Sequence, residues 1–338
     1  MPRKPALARA LLRWYDRHKR PLPWRSTADP YRIWVSEMML QQTQVKTVIP
    51  YYHKFLKQFP TVYDLARATE ESVLKQWEGL GYYRRARYLH AGAKKIVLEF
   101  KGQFPQTPDR ISELPGVGPY MLGAIGSIAF GLPLALVDGN VKRVFVRLFY
   151  GTFKNRIPRD EEFWKRAEIL VDQDRPGDYN QALMELGATV CLPKQPRCPA
   201  CPVKNFCQAL KKDEISQAVY RKTPGKQPKK YFVALIVQQN NRLLLRRRHR
   251  EKLLGGLWEF PLIEISDPQK LPMNISKYSE LLGRQTHTYT HFKQFVEIRR
   301  WTEKEKPANV AGVWKSRGEI KKLPLSKINH LILSTLNP

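Results

Sequence analysis

Glu37, Asp138 and four cysteines are the residues of this 338-residue chain whose types and surroundings could do chemistry. Asp29-Pro30 reads as a helix start, because an aspartate cap accepts orphan amide hydrogens and proline tolerates the first helical position. In a helix beginning near Tyr31, Ile33, Trp34, Glu37 and Leu40 share one side, so a lone carboxylate interrupts an apolar face. Desolvation there would raise its pKa, and a carboxylic acid still protonated near neutral pH is what a general acid needs to be. A glutamate at the helix edge, or one paired with a buried arginine, would show the same spacing. Asp138 precedes Gly139-Asn140 and the helically spaced Val141, Val144, Phe145 and Leu148. Amide hydrogens and the positive dipole end at such a helix start favour the ionised form, although an ordinary N-cap looks the same. One protonated and one ionised carboxyl is the division of labour that glycosidic bond cleavage uses. The two lie 101 positions apart, so only the fold can bring them together.

Cys191, Cys198, Cys201 and Cys207 fall within 17 residues in the spacing C-x6-C-x2-C-x5-C. That clustering argues for a metal site over scattered disulfides. A zinc ribbon usually shows two C-x2-C knuckles, whereas four cysteines with three unequal gaps in one run suit thiolates around a 4Fe-4S cubane, with zinc the alternative. Lys194, Arg197 and Lys204 lie between the ligands and could meet phosphates.

The elements that must position these groups are helices as far as about residue 210. Residues 6 to 20 read as a short basic helix ending at Pro21. Val45, Val48, Ile49, Tyr52, Leu56 and Phe59 form an amphipathic stripe after the polar break Gln41-Gln42-Thr43. Further helices over about 61–77 and 83–100 flank the turn Gly79-Leu80-Gly81-Tyr82-Tyr83. Leu114-Pro115-Gly116-Val117-Gly118-Pro119-Tyr120 resembles a helix-hairpin-helix, in which Gly116 and Gly118 allow a tight turn and free amides there hold a DNA phosphate.

The chain carries 59 Lys+Arg against 30 Asp+Glu, a net +29 with a pI near 10.1. Both 1–230 and 231–338 are basic, so a single basic tail does not account for the charge. A polyanionic partner is expected, nucleic acid or an anionic membrane surface. No apolar run of about 18 residues could span a bilayer, and the N-terminus is too charged for a signal peptide. A cytoplasmic, monomeric protein is expected.

The hairpin LPGVGPY followed by the aspartate of VDGNVKRV is similar to the helix-hairpin-helix DNA glycosylase superfamily. LPWR (22–25), SEMMLQQTQV (36–45) and GLGYYRRAR (79–87) before it, and YNQALMELG (179–187) and the cysteine spacing after it, occur in the family's order. Together they make nearly the whole chain resemble the MutY-type adenine DNA glycosylases. The resemblance implies excision of adenine mispaired with 8-oxoguanine or guanine in double-stranded DNA, by flipping the adenine into a pocket. It implies that Glu37 protonates adenine N7 and later helps activate water. Asp138 would stabilise the oxocarbenium-like sugar, electrostatically or as a transient adduct, and Asn140 would orient Asp138 or the water. Trp24, Arg25, Leu40 and Gln181 match the adenine pocket, and Gln42 and Tyr82 match side chains that wedge into the base stack. Tyr120 stands where strand-cutting relatives carry a lysine. Without that amine there is no efficient Schiff-base nucleophile, so a monofunctional hydrolase is expected. Lys142 is expected on a phosphate.

Residues 216–230 hold five basic residues, no acidic ones and two prolines, a linker composition. Beyond them YFVALIV, LLLRRR and FVEIRRW read as strands, with a turn at Asn240-Asn241. Gly255-Gly256-Leu257-Trp258-Glu259-Phe260-Pro261 resembles the entry to a Nudix box. No glutamate cluster follows to hold Mg²⁺ against a pyrophosphate, so a binding module is expected. His287-Thr288-Tyr289-Thr290-His291-Phe292 resembles the family's lesion-reading loop, with Tyr289, Thr290 and His291 as its contact residues. The expected architecture is multidomain. An all-α helix-hairpin-helix glycosylase region spans 1–215, with a six-helix part at about 28–135 and an iron-sulfur part at about 1–27 and 136–215. The basic linker 216–230 then leads to an α+β Nudix-like module at 231–338.

Overall fold

The structure is a computed structural model that describes residues 4–152, 158–218, 220, 227–267, 269–307 and 310–336. Part of the basic stretch expected as a linker, residues 219 and 221–226, lies outside the described residues. The chain forms two compact units, one of residues 1–66 and 91–223 and the other of residues 67–90 and 224–338.

The regular elements described in the first unit are all helices. Its N-terminal helix, Lys4–His18, ends just before Pro21, as the pattern of residues 6 to 20 requires. Helix Pro30–Leu40 begins where Asp29 accepts a hydrogen bond from the Tyr31 N–H at 2.9 Å. Helix Val45–Gln58 follows the polar break, and its apolar stripe buries Val48, Tyr52 and Phe55. The hairpin runs from Leu114 into helix Pro119–Phe130, with Gly116 at φ +79° and Gly118 as the extended N-cap. That helix carries Gly123 against the segment leading to Asp138. A Cβ on Gly123 would fall 2.0 Å from the Ala135 carbonyl oxygen, so only glycine lets the backbone pass this close. Helix Gly139–Leu148 then buries Val141, Val144, Phe145 and Leu148 in a core shared with Leu7, Leu11, Leu183 and Leu186. Each such side chain contributes roughly 2 kcal/mol by leaving water, which fixes the helix whose first residues frame Asp138.

The second unit carries two four-stranded sheets. In one, the order is Leu262–Ile265, Lys229–Ile236, Lys293–Trp301, Ser279–Thr288; the central pair is parallel and the outer pairs antiparallel. In the other, Arg242–Arg247 pairs with Gln238–Gln239, Trp258–Glu259 and Val313–Ser316. Asn240 and Asn241, both at positive φ, make the hairpin turn read from the sequence. Helix Lys327–Thr335 buries Ile328 and Ile332 in a core with Ala234, Ile236, Phe260 and Ile298. The α+β character of this region is as expected. The long strand Ser279–Thr288 and helix Lys327–Thr335 were not among the elements read from the sequence. The 61–77 stretch is two helices, Val62–Arg67 and Glu70–Gln76, the second capped by Thr69 on the Ser72 N–H.

Candidate active site

Glu37 sits in the middle of helix Pro30–Leu40 among buried Ile33, Trp34, Met38 and Met39, and is itself only 4% exposed. Burial pushes its carboxyl up to about 7. The Tyr120 hydroxyl donates to Glu37 Oε2 at 2.7 Å and pulls the value down, the Asp138 charge pushes it up, and the Arg25 cation pulls it down. Tyr120 is delivered by the first turn of the helix after the hairpin, and its hydroxyl also touches Met184 Sδ at 3.7 Å. Burial and the charges of Glu37 and Asp138 hold that phenol well above its ordinary pKa, so it stays a donor.

Asp138 caps helix Gly139–Leu148. Its Oδ1 accepts from the Val141 N–H at 2.7 Å and its Oδ2 from Asn140 Nδ2 at 2.9 Å. Burial raises its pKa and outweighs these donors and the Arg143 charge. The direction is opposite to the one expected from the cap alone, because a cap position shows the amide donors but not the burial. Asn140 Oδ1 in turn accepts from Arg143 Nη2 at 2.8 Å. The fold therefore brings Glu37, Tyr120, Asp138 and Asn140 into one electrostatic group.

On another side of this group the short turn Pro23–Arg25 places Arg25 against helix Pro176–Thr189. Arg25 Nε donates to Gln181 Oε1 at 3.3 Å and its Nη2 to Glu185 Oε2 at 2.8 Å. Trp24 is buried edge-on against Tyr52, ring centroids 5.4 Å apart. Leu40 is half-buried at the end of its helix, and Gln42 is exposed just beyond, at φ +57°. Lys142 pairs with Asp160 at 2.6 Å and lies over the rings of Phe163 and Tyr220.

The cysteines follow helix Pro176–Thr189 and none is disulfide-bonded. All four line one cavity, with Arg147, Lys204 and Leu210. Buried Arg147 donates to Cys191 Sγ at 3.2 Å and to the carbonyls of Leu192 and Pro193. Among the described residues no three His, Cys, Asp or Glu side chains form a group that could hold a single metal ion.

In the second unit Tyr82 is 40% exposed at φ +49°, a rare conformation for a bulky residue. The 287–292 loop is an aromatic knot. Tyr289 stacks on Phe292 at 4.7 Å and meets His287 edge-on at 4.5 Å, and Thr290 Oγ1 lies 3.4 Å from His291 Nδ1. Thr290 and His291 are exposed. Glu259 of the Nudix-like entry is buried and neutralised by Arg246 and Arg248. A carboxylate so paired is not free to hold a metal.

Residues 35–168 match the model of the HhH-GPD superfamily base excision DNA repair protein, and residues 232–335 that of the NUDIX domain. An adenine DNA glycosylase of Buchnera aphidicola subsp. Schizaphis graminum is 32% identical over 291 residues, covering 83% of each chain. The chain belongs to the adenine DNA glycosylase family. The human member is 49% identical over 218 residues, 62% of this chain and 40% of that protein. The Arabidopsis thaliana member is 39% identical over 355 residues, 85% of this chain and 56% of that one. The chain thus spans about two fifths of the length of the human, mouse and rat members it matches. Among solved structures, a thermostable thymine-DNA glycosylase superposes with a TM-score of 0.57 at 30% identity, over 62% of this chain and 97% of that one. Endonuclease III in a non-covalent DNA complex superposes at 0.53 and 21% identity, over 63% and 99%, a likeness of fold.

Three groups around the family's site were not singled out from the sequence. Glu185 is buried between Arg20 and Arg25. Gln181 and Glu185 stand four residues apart, so the face rule that singled out Glu37 could have found Glu185 too. Arg143 spans Asn140 and the Cys191 carbonyl, and Arg147 reaches the Cys191 sulfur. Cations spaced i, i+4 look like a solvated helix face, and nothing in their spacing marks Arg147 as buried or Arg143 as half-buried.

Proposed function

We propose that the protein is a monofunctional DNA glycosylase that hydrolyses the N-glycosidic bond of adenine mispaired with 8-oxoguanine, or with guanine, in double-stranded DNA. The observation that carries this reading is Glu37, a buried carboxyl titrating near 7 in hydrogen-bond contact with Tyr120 and within the field of Asp138. Adenine flips out of the stack into the site framed by Trp24, Arg25, Leu40 and Gln181. Glu37 gives its proton to N7 while Tyr120 holds Oε2. The C1′–N9 bonding pair leaves with the base, and the positive charge on the sugar falls to the Asp138 carboxylate, oriented by Asn140. Water then bonds C1′ and returns its proton to Glu37. With tyrosine at position 120, no amine at that position can form a Schiff base, so the strand is left intact at an abasic sugar.

Gly116 and Gly118 amides would take a backbone phosphate, and Gln42 and Tyr82 would enter the stack. The loop with Tyr289, Thr290 and His291 would read the opposing base. The four cysteines, which all line one cavity, fit a 4Fe-4S cluster by their donor set. When bound, the cluster would stiffen the loop that carries Lys194, Arg197 and Lys204. Single-turnover assay of a duplex with one adenine opposite 8-oxoguanine is expected to give an abasic strand that breaks only after alkali. Spontaneous strand breakage at the excision rate would refute monofunctional hydrolysis, and an uncleaved glycosidic bond would refute the reading as a whole.

A further inference from the structure

Within the second unit, the segment 67–90 is bound to the sheet region by a set of carboxylates that the chemistry above does not use. Glu70 takes Arg250 at 2.5 Å and Arg247 at 3.1 Å. Glu71 accepts the Trp258 indole N–H at 2.6 Å. Glu78 accepts the Leu325 N–H at 2.7 Å and His330 Nε2 at 2.9 Å, and Lys75 donates to both Glu78 and the Leu323 carbonyl. Arg87 adds a bond to the Arg250 carbonyl. Exposed ion pairs contribute little one by one, but Glu70 and Glu78 are mostly covered, and several bonds to backbone accompany them.

This latch holds the turn that carries Tyr82. Gly79, Gly81 and Tyr82 all have positive φ, and the turn is pinned by Trp77 Nε1 on the Gly81 carbonyl and by the Tyr83 hydroxyl on the Gly79 N–H. A bulky residue kept in the left-handed region strains the backbone, and the Tyr82 ring, 40% exposed, lies under the Arg85 guanidinium at 5.5 Å. Trp258 and Leu325 lie in one buried core with Val296 and Ile298, on the strand that leaves the 287–292 loop, so the latch reaches that loop through packed side chains. Burial pushes the Tyr289 phenol up to about 12, Arg248 pulls it down, and Glu259 and Tyr83 push it further up.

We infer that the Tyr82 turn and the 287–292 loop are a single rigid reading head, joined by the latch of Glu70, Glu71 and Glu78 to Arg247, Arg250, Trp258 and Leu325. Contact of the loop with the base opposite adenine and entry of Tyr82 into the stack are then one event, and the latch residues are positioning residues for opposing-base specificity. The inference rests on the proposed function.

The test is single-turnover adenine excision opposite 8-oxoguanine and opposite guanine, with melting of each variant measured alongside. Glu70→Arg is expected to lower the ratio of the two rates about tenfold, through the 8-oxoguanine substrate, with the guanine rate within twofold of the parent. Adding Arg250→Glu is expected to bring the ratio back to within threefold of the parent. Trp258→Phe, which deletes one donor and keeps the ring, is expected to lower the ratio threefold or more with the melting temperature unchanged. Equal loss on both substrates, an unaltered ratio, or no recovery in the double variant would overturn the latch. A parent protein that does not excise adenine would overturn the proposed function instead.

Discussion

Glu37 has two measurable consequences at the scale of one residue. Its folded value, about 7, lies above its ordinary 4.5 because of burial. Between those values the folded protein keeps a proton that the unfolded chain has released, so stability falls as pH rises, and the full penalty stands above pH 7. The displacement corresponds to roughly 3 kcal/mol. Glu37→Gln, which can still accept from Tyr120, is therefore expected to raise the melting temperature of the first unit at pH 8 and to leave it nearly unchanged at pH 4.5. Calorimetry at the two values checks this, and an equal shift at both would contradict it. Under the proposed function the same titration governs excision. The rate is expected to fall as pH rises through about 7, when the acid is lost, and to fall on the acid side when Asp138 takes a proton. Because burial raises Asp138 as well, that limb should begin above the range of an ordinary aspartate.

At the scale of elements, the helices that carry the site were legible because their ends are chemical. Asp29 and Asp138 cap on the amides expected of them, Pro119 opens its helix, and the apolar stripe of Val45–Gln58 faces inward. Burial was legible only where a polar residue broke an apolar face, as at Glu37. It was not legible for Arg143 and Arg147, whose partners are mostly backbone carbonyls that the fold brings from 44 or more positions away. Strand Ser279–Thr288 escaped because its faces are largely exposed and its sequence, SELLGRQTHT, shows no alternation. The Arg143 bridge from Asn140 to the Cys191 carbonyl ties the helix start at Asp138 to the cysteine loop. Arg143→Ala is expected to slow excision about tenfold or more by releasing Asn140, while iron and sulfide content stay within a fifth of the parent. Loss of excision only in step with loss of iron would place the effect in the cysteine loop instead.

For the whole molecule, +29 spread over both halves would make the proposed interaction with DNA a counterion-release process. Affinity for an undamaged duplex is expected to fall by about a thousandfold between 50 and 200 mM salt if some six phosphates are engaged, a slope that titration at four salt concentrations measures. A flat dependence would contradict a phosphate-led interface. In the proposed function the loop with Thr290 reads the opposing base, so Thr290→Ala is expected to narrow the ratio of excision opposite 8-oxoguanine to that opposite guanine. An unchanged ratio would remove Thr290 from lesion reading.

The pairing of a protonated Glu37 with Asp138 is tested most directly by one comparison. Parent and Glu37→Gln protein, each with full iron content and equal affinity for the duplex, are mixed in excess with DNA holding adenine opposite 8-oxoguanine, and adenine release is followed in a single turnover at pH 7. Loss of the acid should slow release by about a hundredfold to ten-thousandfold. Release within threefold of the parent rate would mean that the proton comes from elsewhere.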